Sequence, residues 1–423
     1  MKISIIGAGY VGLVSSVCLA ELGHLISLIE LEKNKINLIN LGRPPIYEKG
    51  LEEILSKHLN RNLAVTSSYD AVPASDASFI CVGTPSDANG NADLSMIESA
   101  SISIGAALQK KQGYHVVVVK STVPPGTTRN IVMPAVLKNS NKDSQEVGFV
   151  MNPEFLREGR AIEDFLRPDR IVIGSFDNMA GDLIASIYKT IDSPLIRTGL
   201  TEAEMVKYAS NAFLATKISF SNEVGNICKR LGIDVYEVMR GVGLDHRISP
   251  HFLNAGAGFG GSCFPKDVSA LIHLAESLGE DPILLKSAMQ INKIQPKKMV
   301  DLLERRIGNL DGKRVAVLGL AFKDNTDDIR ESRSTIVINE LICRGASVAA
   351  FDPKANSVMM AIIPDIDYFQ SAAGALEDAD ACLVMTEWPE FSSLEKEFDL
   401  MRSKVILEGR RILSYRSCEG ICW

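Results

Sequence analysis

Lys2-Ile3-Ser4-Ile5-Ile6-Gly7-Ala8-Gly9-Tyr10-Val11-Gly12-Leu13 opens the chain, and its reading decides the fold. A short β-branched run breaks at glycine and passes into a helical pattern through Val14, Val17, Cys18 and Glu21, which is strand, turn, helix. A second strand, Leu25 to Ile29, ends at Glu30. Further apolar runs at Ala77 to Val82, His115 to Val119, Phe149 to Met151 and Ile171 to Ile173 alternate with helical stretches. Strands alternating with helices predict an α/β domain built on a parallel, doubly wound sheet.

The pattern changes near Thr201, where one long helix runs towards Leu231 with Thr201 and Glu204 placed as a capping box. About 30 helical residues span roughly 45 Å, more than one domain needs, so this helix is expected to connect domains and to carry a subunit interface. A helix-rich stretch from Pro265 to about Ile307 follows, and near Asp311 the strand-glycine-helix cycle restarts with Lys313-Arg314-Val315-Ala316-Val317-Leu318-Gly319-Leu320. It continues through Ser347 to Phe351 ending at Asp352, Ala381 to Met385, and Val405 to Leu407. The expected architecture is two Rossmann-like domains, 1–198 and 301–423, joined through a helical region, 199–300, that dimerises.

Composition is consistent with this. Hydrophobic residues make up 46% and charged residues 23% of 423, close to globular averages, which favours neither a disordered nor a fibrous class. A net charge of -7 argues against a general nucleic-acid binder, because phosphate backbones are held by an excess of Lys and Arg. No apolar run approaches bilayer length and Met1-Lys2 leads straight into a strand, so no membrane association and a cytoplasmic location are expected. The eight cysteines show no metal-ligand spacing; Cys418 and Cys422 lack a second pair, and no metal is expected.

Gly7, Gly9 and Gly12 form G-x-G-x-x-G directly after a strand and at the opening of a helix. Gly7 is expected to turn the chain, Gly9 to let backbone, with Tyr10 and Val11, approach a pyrophosphate, and Gly12 to let the helix pack closely. Glu30 can accept hydrogen bonds from adenosine ribose hydroxyls and would repel a 2'-phosphate, which favours NAD over NADP; Lys35 lies nearby. Gly83 and Thr84, after the run from Phe79, and Thr122, after His115 to Lys120, fall at carboxyl ends of strands, where open α/β sheets bind ligands. Each threonine reads equally well as a turn or cap residue.

Phe259-Gly260-Gly261-Ser262-Cys263-Phe264-Pro265-Lys266-Asp267 carries the reactive group. Pro265 suits the first turn of a helix, so Cys263 sits just before a helix N-terminus, where the helix dipole and Lys266 favour thiolate. Gly260 and Gly261 are expected to leave backbone open to a substrate, and Asp267 to orient a water. The alternative is a buried structural cysteine. Lys207 and Asn211 are four apart on the long helix and share one face. Asn152-Pro153-Glu154-Phe155-Leu156-Arg157-Glu158-Gly159 places Glu154 and Glu158 on a loop at a strand's end.

At these residues the chain resembles the UDP-glucose/GDP-mannose dehydrogenase family over essentially its whole length. The likeness includes Gly7 to Gly12, Phe79 to Pro85, Lys120 to Pro124, Asn152 to Gly159, Lys207 to Asn211, Phe259 to Asp267, Leu320 to Lys323 and Asp327 to Arg330. The resemblance implies an N-terminal NAD domain, a dimerising helical centre and a C-terminal domain holding the nucleotide. It implies Cys263 as nucleophile, Lys207 and Asp267 as polar catalytic partners, and Thr122, Glu154 and Asn211 as organisers of substrate and water. It also implies that Glu158, Lys266 and Arg330 assist NAD binding. Phe155, Leu156, Phe252, Leu253, Gly260, Lys323 and Arg410 are expected to line the sugar-nucleotide site, with Arg247 reaching across the dimer. Lys323 and Arg410 make sense independently, since an acidic protein must supply the cations for a diphosphate locally. Arg247 to Gly256 and Arg167 to Gly174 resemble the UDP-glucose members, and Glu419 to Trp423 the GDP-mannose members. A UDP-sugar is the expected substrate, with GDP-mannose as the alternative.

The reaction so implied is a four-electron oxidation of a sugar C6 alcohol to a carboxylate through a thioester on Cys263. Two rivals remain open at the level of residues. One is a single-step hydroxy-acid dehydrogenase with Lys207 and Asn211 catalytic and Cys263 structural. The other is a non-catalytic NAD-binding regulator that uses the long helix as a partner surface.

Overall fold

The computed structural model describes residues 1–87, 90–413 and 418–423. The chain forms two compact units, Met1–Ser210 and Asn211–Trp423. No helix among the described residues is long and apolar enough to cross a membrane.

The opening stretch folds as read. Strand β1 (Lys2–Ile6) is buried from Ile3 onward, as expected of a parallel strand covered on both faces. The chain turns at Gly7, with φ +99°, and the helix Tyr10–Glu21 begins three residues later. Strands β2 (Leu25–Ile29), β3 (Leu63–Thr66), β4 (Ala77–Ile80), β5 (His115–Val119), β6 (Val147–Met151), β7 (Ile171–Ser175) and β8 (Leu195–Thr198) complete the first sheet in the order β3-β2-β1-β4-β5-β6-β7-β8. Its first six strands run 3-2-1-4-5-6, the order of a dinucleotide-binding fold. Successive residues serve opposite layers. Ile3, Ile5, Val116 and Val118 join the core that holds Leu13 and Val17, whereas Ile6, Ile80, Val117 and Val119 join the one that holds Ile97 and Ile104.

The expected all-parallel sheet needs one correction, because β7 pairs antiparallel with β6 through Val150–Ser175 and Met151–Gly174. The only helix joining them, Ala161–Leu166, has six residues and covers about 9 Å, too little to carry the chain back along a strand of about 17 Å.

In the second unit β9 (Arg314–Leu318), β10 (Ser347–Phe351), β11 (Asp367–Tyr368), β12 (Ala381–Val384), β13 (Ile406–Glu408) and β14 (Cys418–Gly420) form a sheet in the order β11-β10-β9-β12-β13-β14. Its pairs are parallel throughout, so the 3-2-1-4-5-6 order appears a second time. The helix-rich stretch before it resolves into Phe264–Ser277 and Ile283–Ile307, preceded by an unforeseen helix, Val235–Gly243, whose first turn is capped by Asp234.

The long helix spans Leu200–Leu231, but the capping box at its start does not form. The Gly199 carbonyl accepts from Ala203 N, and Glu204, fully buried, turns its carboxylate elsewhere. Glu204 accepts from Gly126 N, from Thr128 N at 2.7 Å and from Thr128 Oγ1 at 2.6 Å. These donors open the π-helical turn Thr128–Val132, whose first N–H groups have no partner within the turn, and they draw the acid away from its own helix. Burial holds the Glu204 carboxyl above its usual range.

Candidate functional site

The three glycines of the opening turn differ as their expected roles require. A Cβ on Gly7 would lie 2.9 Å from the Cys81 carbonyl oxygen, and one on Gly12 only 1.9 Å from the Gly7 oxygen, so both are needed for packing. A Cβ on Gly9 would meet nothing within 4 Å, which leaves that backbone open at the start of the helix Tyr10–Glu21. Glu30 follows β2 and folds back on the turn: Oε2 accepts from Ala8 N at 2.8 Å, and Oε1 from Leu31 N and Glu32 N. Lys35 pairs with Glu32 at 2.7 Å on the surface. An open anion-binding backbone followed by an acid after β2 fits a dinucleotide without a 2'-phosphate.

At the carboxyl ends of β4 and β5, Thr84 Oγ1 donates to the Thr122 carbonyl at 2.8 Å, which ties the two strand-end loops together beyond Gly83. The loop after β6 carries Glu154 and Glu158. Glu154 is buried, and its Oε1 accepts from Lys207 Nζ at 2.9 Å while its Oε2 accepts from Leu156 N. The Phe155 ring lies against this pair, with Lys207 Nζ 5.4 Å and the Arg170 guanidinium 3.8 Å from its centroid. Glu158 and Leu156 are half-buried.

The second unit holds the thiol. Cys263 is the N-cap of the 14-residue helix Phe264–Ser277, Pro265 lies in its first turn, and the Cys263 carbonyl accepts from Asp267 N at 2.9 Å. Cys263 is half-buried rather than sealed, and its Sγ lies 3.5 Å from Ser262 Oγ. Asp267 is 1% exposed and accepts from Lys266 Nζ at 2.6 Å on one oxygen and from Asn211 Nδ2 at 2.7 Å on the other. A thiol at a helix N-terminus next to a buried carboxylate held by an amide and an ammonium is suited to nucleophilic addition followed by hydrolysis.

The glycines before Cys263 are also required by packing. A Cβ on Gly260 would meet the Glu331 carbonyl oxygen at 2.2 Å and one on Gly261, at φ +85°, the Phe322 ring at 2.7 Å. Close packing of the 320–331 loop requires them. Leu253 is packed in the second unit's core, 5% exposed. Phe252, at φ +64°, stacks edge-on to Phe264 at 6.2 Å. Lys323 Nζ sits 5.9 Å from the Phe322 ring centroid. Arg410 is fixed by the Gly258 carbonyl and by Glu387 at 3.2 Å. Arg330 and Arg247 are exposed and paired locally, with Asp328 and Asp245, each at 2.6 Å.

Among the buried charges to which the sequence assigned no role are Lys120 and Glu48. Lys120, 4% exposed at the end of β5, donates to Asn152 Oδ1 at 3.1 Å, and burial pulls its ammonium down to about 8. Glu48, 6% exposed, accepts from Gly159 N at 2.7 Å, from Ala161 N at 2.9 Å and from the Tyr10 hydroxyl. A lysine closing an all-valine run was the one signal available for the first. The segment around Glu48 offered none.

Known proteins match along the whole chain. The models of the UDP-glucose/GDP-mannose dehydrogenase family match as its NAD binding domain over residues 1–192, its central domain over 201–294 and its UDP binding domain over 316–415. UDP-glucose 6-dehydrogenase AglM of Haloferax volcanii is 46% identical, with 100% of this chain and 99% of that protein covered. UDP-glucose 6-dehydrogenase TuaD of Bacillus subtilis is 43% identical over 99% of this chain and 91% of its own. The solved structure of a UDP-glucose dehydrogenase from the hyperthermophilic archaeon Pyrobaculum islandicum superposes with a TM-score of 0.95 at 45% identity, covering 100% of this chain and 98% of that one.

Proposed function

This chain belongs to the UDP-glucose/GDP-mannose dehydrogenase family, and from that premise we propose that it converts UDP-glucose to UDP-glucuronate with two equivalents of NAD, using Cys263 as a covalent catalyst. The observation that carries the reading is Cys263 at the mouth of its helix, within one turn of the buried Asp267–Lys266–Asn211 set. On this reading residues 1–198 hold NAD, 199–300 carry the thiol and pair the subunits, and 301–423 hold the UDP moiety.

NAD, when bound, supplies the acceptor for each of the two hydrides lost from C6. Gly9, Tyr10 and Val11 offer the open backbone to its pyrophosphate, and Glu30 accepts from the ribose. Gly83, Thr84 and Thr122 of the strand-end loops, with Glu158, Lys266, Arg330 and Lys35, would help to hold it. In the first oxidation a water held by Asp267 or Glu154 takes the C6 hydroxyl proton; each carboxylate accepts from a lysine ammonium within 3 Å. The Cys263 thiolate then adds to the aldehyde carbon, giving a thiohemiacetal whose oxyanion accepts from Lys207 and Asn211. Loss of the second hydride leaves a thioester. Water adds to it, Cys263 departs as thiolate and the carboxylate remains, so the aldehyde is never released.

Lys323 and Arg410 supply the cations for the diphosphate, and Phe155, Leu156, Phe252 and Gly260 contribute ring, side-chain and backbone surface to the sugar nucleotide. Neither the single-step hydroxy-acid reading nor the regulator reading gains support from full-length likeness to enzymes named for UDP-glucose oxidation. A homodimer fits the long helix, whose Phe213, Phe220, Ile227 and Leu231 are 66%, 50%, 55% and 68% exposed at spacings of seven and four. Ile227 and Leu231 line a groove of about 550 Å³ together with Ile291 and Ile294, and on this reading Arg247 would serve the partner's site. The test is NADH formation at 340 nm with UDP-glucose and with GDP-mannose. Two NADH per UDP-glucose are expected. One NADH per sugar, or turnover only with GDP-mannose, would overturn the assignment.

A further inference from the structure

The loop 152–159 carries Glu154 and Glu158, and what fixes its two ends lies outside any role assigned above. At its start Asn152 is fully engaged. Its N–H donates to the Val119 carbonyl at 2.9 Å and its Nδ2 to the Val172 carbonyl at 2.8 Å, while its Oδ1 accepts from the Tyr188 hydroxyl at 2.6 Å and from Lys120 Nζ at 3.1 Å. Lys120 Nζ also reaches the Asn152 carbonyl at 3.4 Å and lies 5.7 Å and 6.0 Å from the ring centroids of Phe165 and Tyr188. At the loop's end, where Gly159 turns at φ +81°, Glu48 gathers the Gly159 and Ala161 N–H groups on its two oxygens and takes the Tyr10 hydroxyl as well.

Neither charge forms a salt bridge among the described residues. A buried charge without a salt-bridge partner opposes folding. Retention of both, one at each end of the same loop, calls for a role that an apolar residue cannot play.

We infer that Lys120 and Glu48 are positioning residues that clamp the loop 152–159 at its two ends, Lys120 setting Glu154 against Lys207 and Glu48 setting Glu158 and Gly159 against the cofactor turn at Tyr10. The two clamps face different chemistry. Lys120 feels the charges of Glu154 and Lys207, the pair assigned to proton and oxyanion work. Glu48 bonds the Tyr10 side chain, whose hydroxyl also feels Glu158. Loosening the first should therefore slow the chemical steps, and loosening the second should weaken NAD binding.

This inference rests on the dehydrogenase reading for its kinetic form only, so its test has two arms. In the first, amide hydrogen exchange of the full chain is compared among parent, Lys120→Met and Glu48→Gln. Lys120→Met should speed exchange at least tenfold at residues 152–156 and leave 159–161 unchanged, and Glu48→Gln should do the reverse. In the second, steady-state kinetics with UDP-glucose should show kcat reduced tenfold or more in Lys120→Met with KM for NAD within twofold of parent. Glu48→Gln should raise KM for NAD about tenfold with kcat within threefold. If Glu48→Gln does not fold, Glu48→Asp, which keeps the charge but shortens the reach, is read by the same exchange window. Unchanged exchange in folded variants overturns the inference, as does a parallel fall of kcat and rise of KM in both. Inactivity of the parent, with exchange behaving as stated, counts against the proposed function alone.

Discussion

Replacing Lys120 with methionine should raise stability at neutral pH and abolish a stability gain that the parent shows in alkali. The structure sets the size of the effect. Lys120 is 4% exposed, and burial lowers its ammonium from 10.5 to about 8, so its protonated form is disfavoured in the folded chain relative to the unfolded one. At about 1.4 kcal/mol per tenfold change in proton affinity, that difference is worth roughly 3 kcal/mol. Below pH 8 both states carry the proton and the folded state bears the whole penalty. Between pH 8 and 10.5 the folded state releases the proton while the unfolded state keeps it, so stability rises with pH and then levels off. Cys81, the nearest thiol in the electrostatic surroundings of Lys120, is pushed up to about 12 by burial and stays uncharged across this window.

Methionine fills the space between Phe165 and Tyr188 without a charge but gives up two bonds to Asn152, each worth about 1 kcal/mol. The net gain at pH 7 is therefore about 1 kcal/mol. Urea unfolding of parent and variant at pH 7 and pH 10 measures it, and the difference between the two proteins cancels every group they share. Trp388 and Trp423 both lie in the second unit, so tryptophan emission follows that unit, whereas far-UV circular dichroism follows both. The parent should gain roughly 3 kcal/mol on the variant by pH 10, confined to the transition that tryptophan emission does not report. Parallel pH dependences, or a variant less stable than the parent at pH 7 by more than about 1 kcal/mol, would show that the ammonium is not desolvated as the geometry requires.

Gly9→Ala should leave stability within about 0.5 kcal/mol of parent, yet lower NAD affinity at least tenfold by calorimetry, because its methyl occupies only the open side of the turn. Gly12→Ala, with its methyl 1.9 Å from the Gly7 oxygen, should instead destabilise the first unit by about 3 kcal/mol. Gly261→Ala combines a positive φ with a methyl 2.7 Å from the Phe322 ring and should lower the urea midpoint seen by tryptophan emission by an amount equivalent to about 1–3 kcal/mol. Cys263→Ser should bind UDP-glucose and NAD with parent affinities in calorimetry while losing uronate production; uronate release at the parent rate would exclude the covalent route.

How far the sequence could be read depended on whether the relevant physics is local. The opening strand, its glycines and Glu30 were legible because turn geometry and anion approach impose residue types at fixed spacing. Cys263 was legible for the same reason, since Pro265 marks the helix start that the thiol must precede. The antiparallel β7 was not, because strand direction depends on how far the short helix Ala161–Leu166 carries the chain in space. Glu204 stood at a capping spacing, yet its carboxylate went to Thr128, 76 residues away, since orphaned N–H groups there were the nearer unmet demand once the chain was folded. At Gly260 and Gly261 the sequence shows that a side chain is unwelcome, but not that the 320–331 loop is a surface that forbids it. Lys120 and Glu48 mark the limit of such reading. Lys120 bonds a residue 32 positions away and Glu48 one 111 positions away, so beyond the valine run that precedes Lys120 nothing beside them in the chain sets them apart from solvated charges. What identifies them is burial without a salt-bridge partner among the described residues, at the two ends of one loop, a property that comes into being only when the fold closes. That is also why the pH dependence of Lys120 reaches beyond stability. The ammonium that makes the first unit less stable at neutral pH is the one that holds Asn152, and titrating it should relax that end of the loop over the same interval in which the fold becomes stronger.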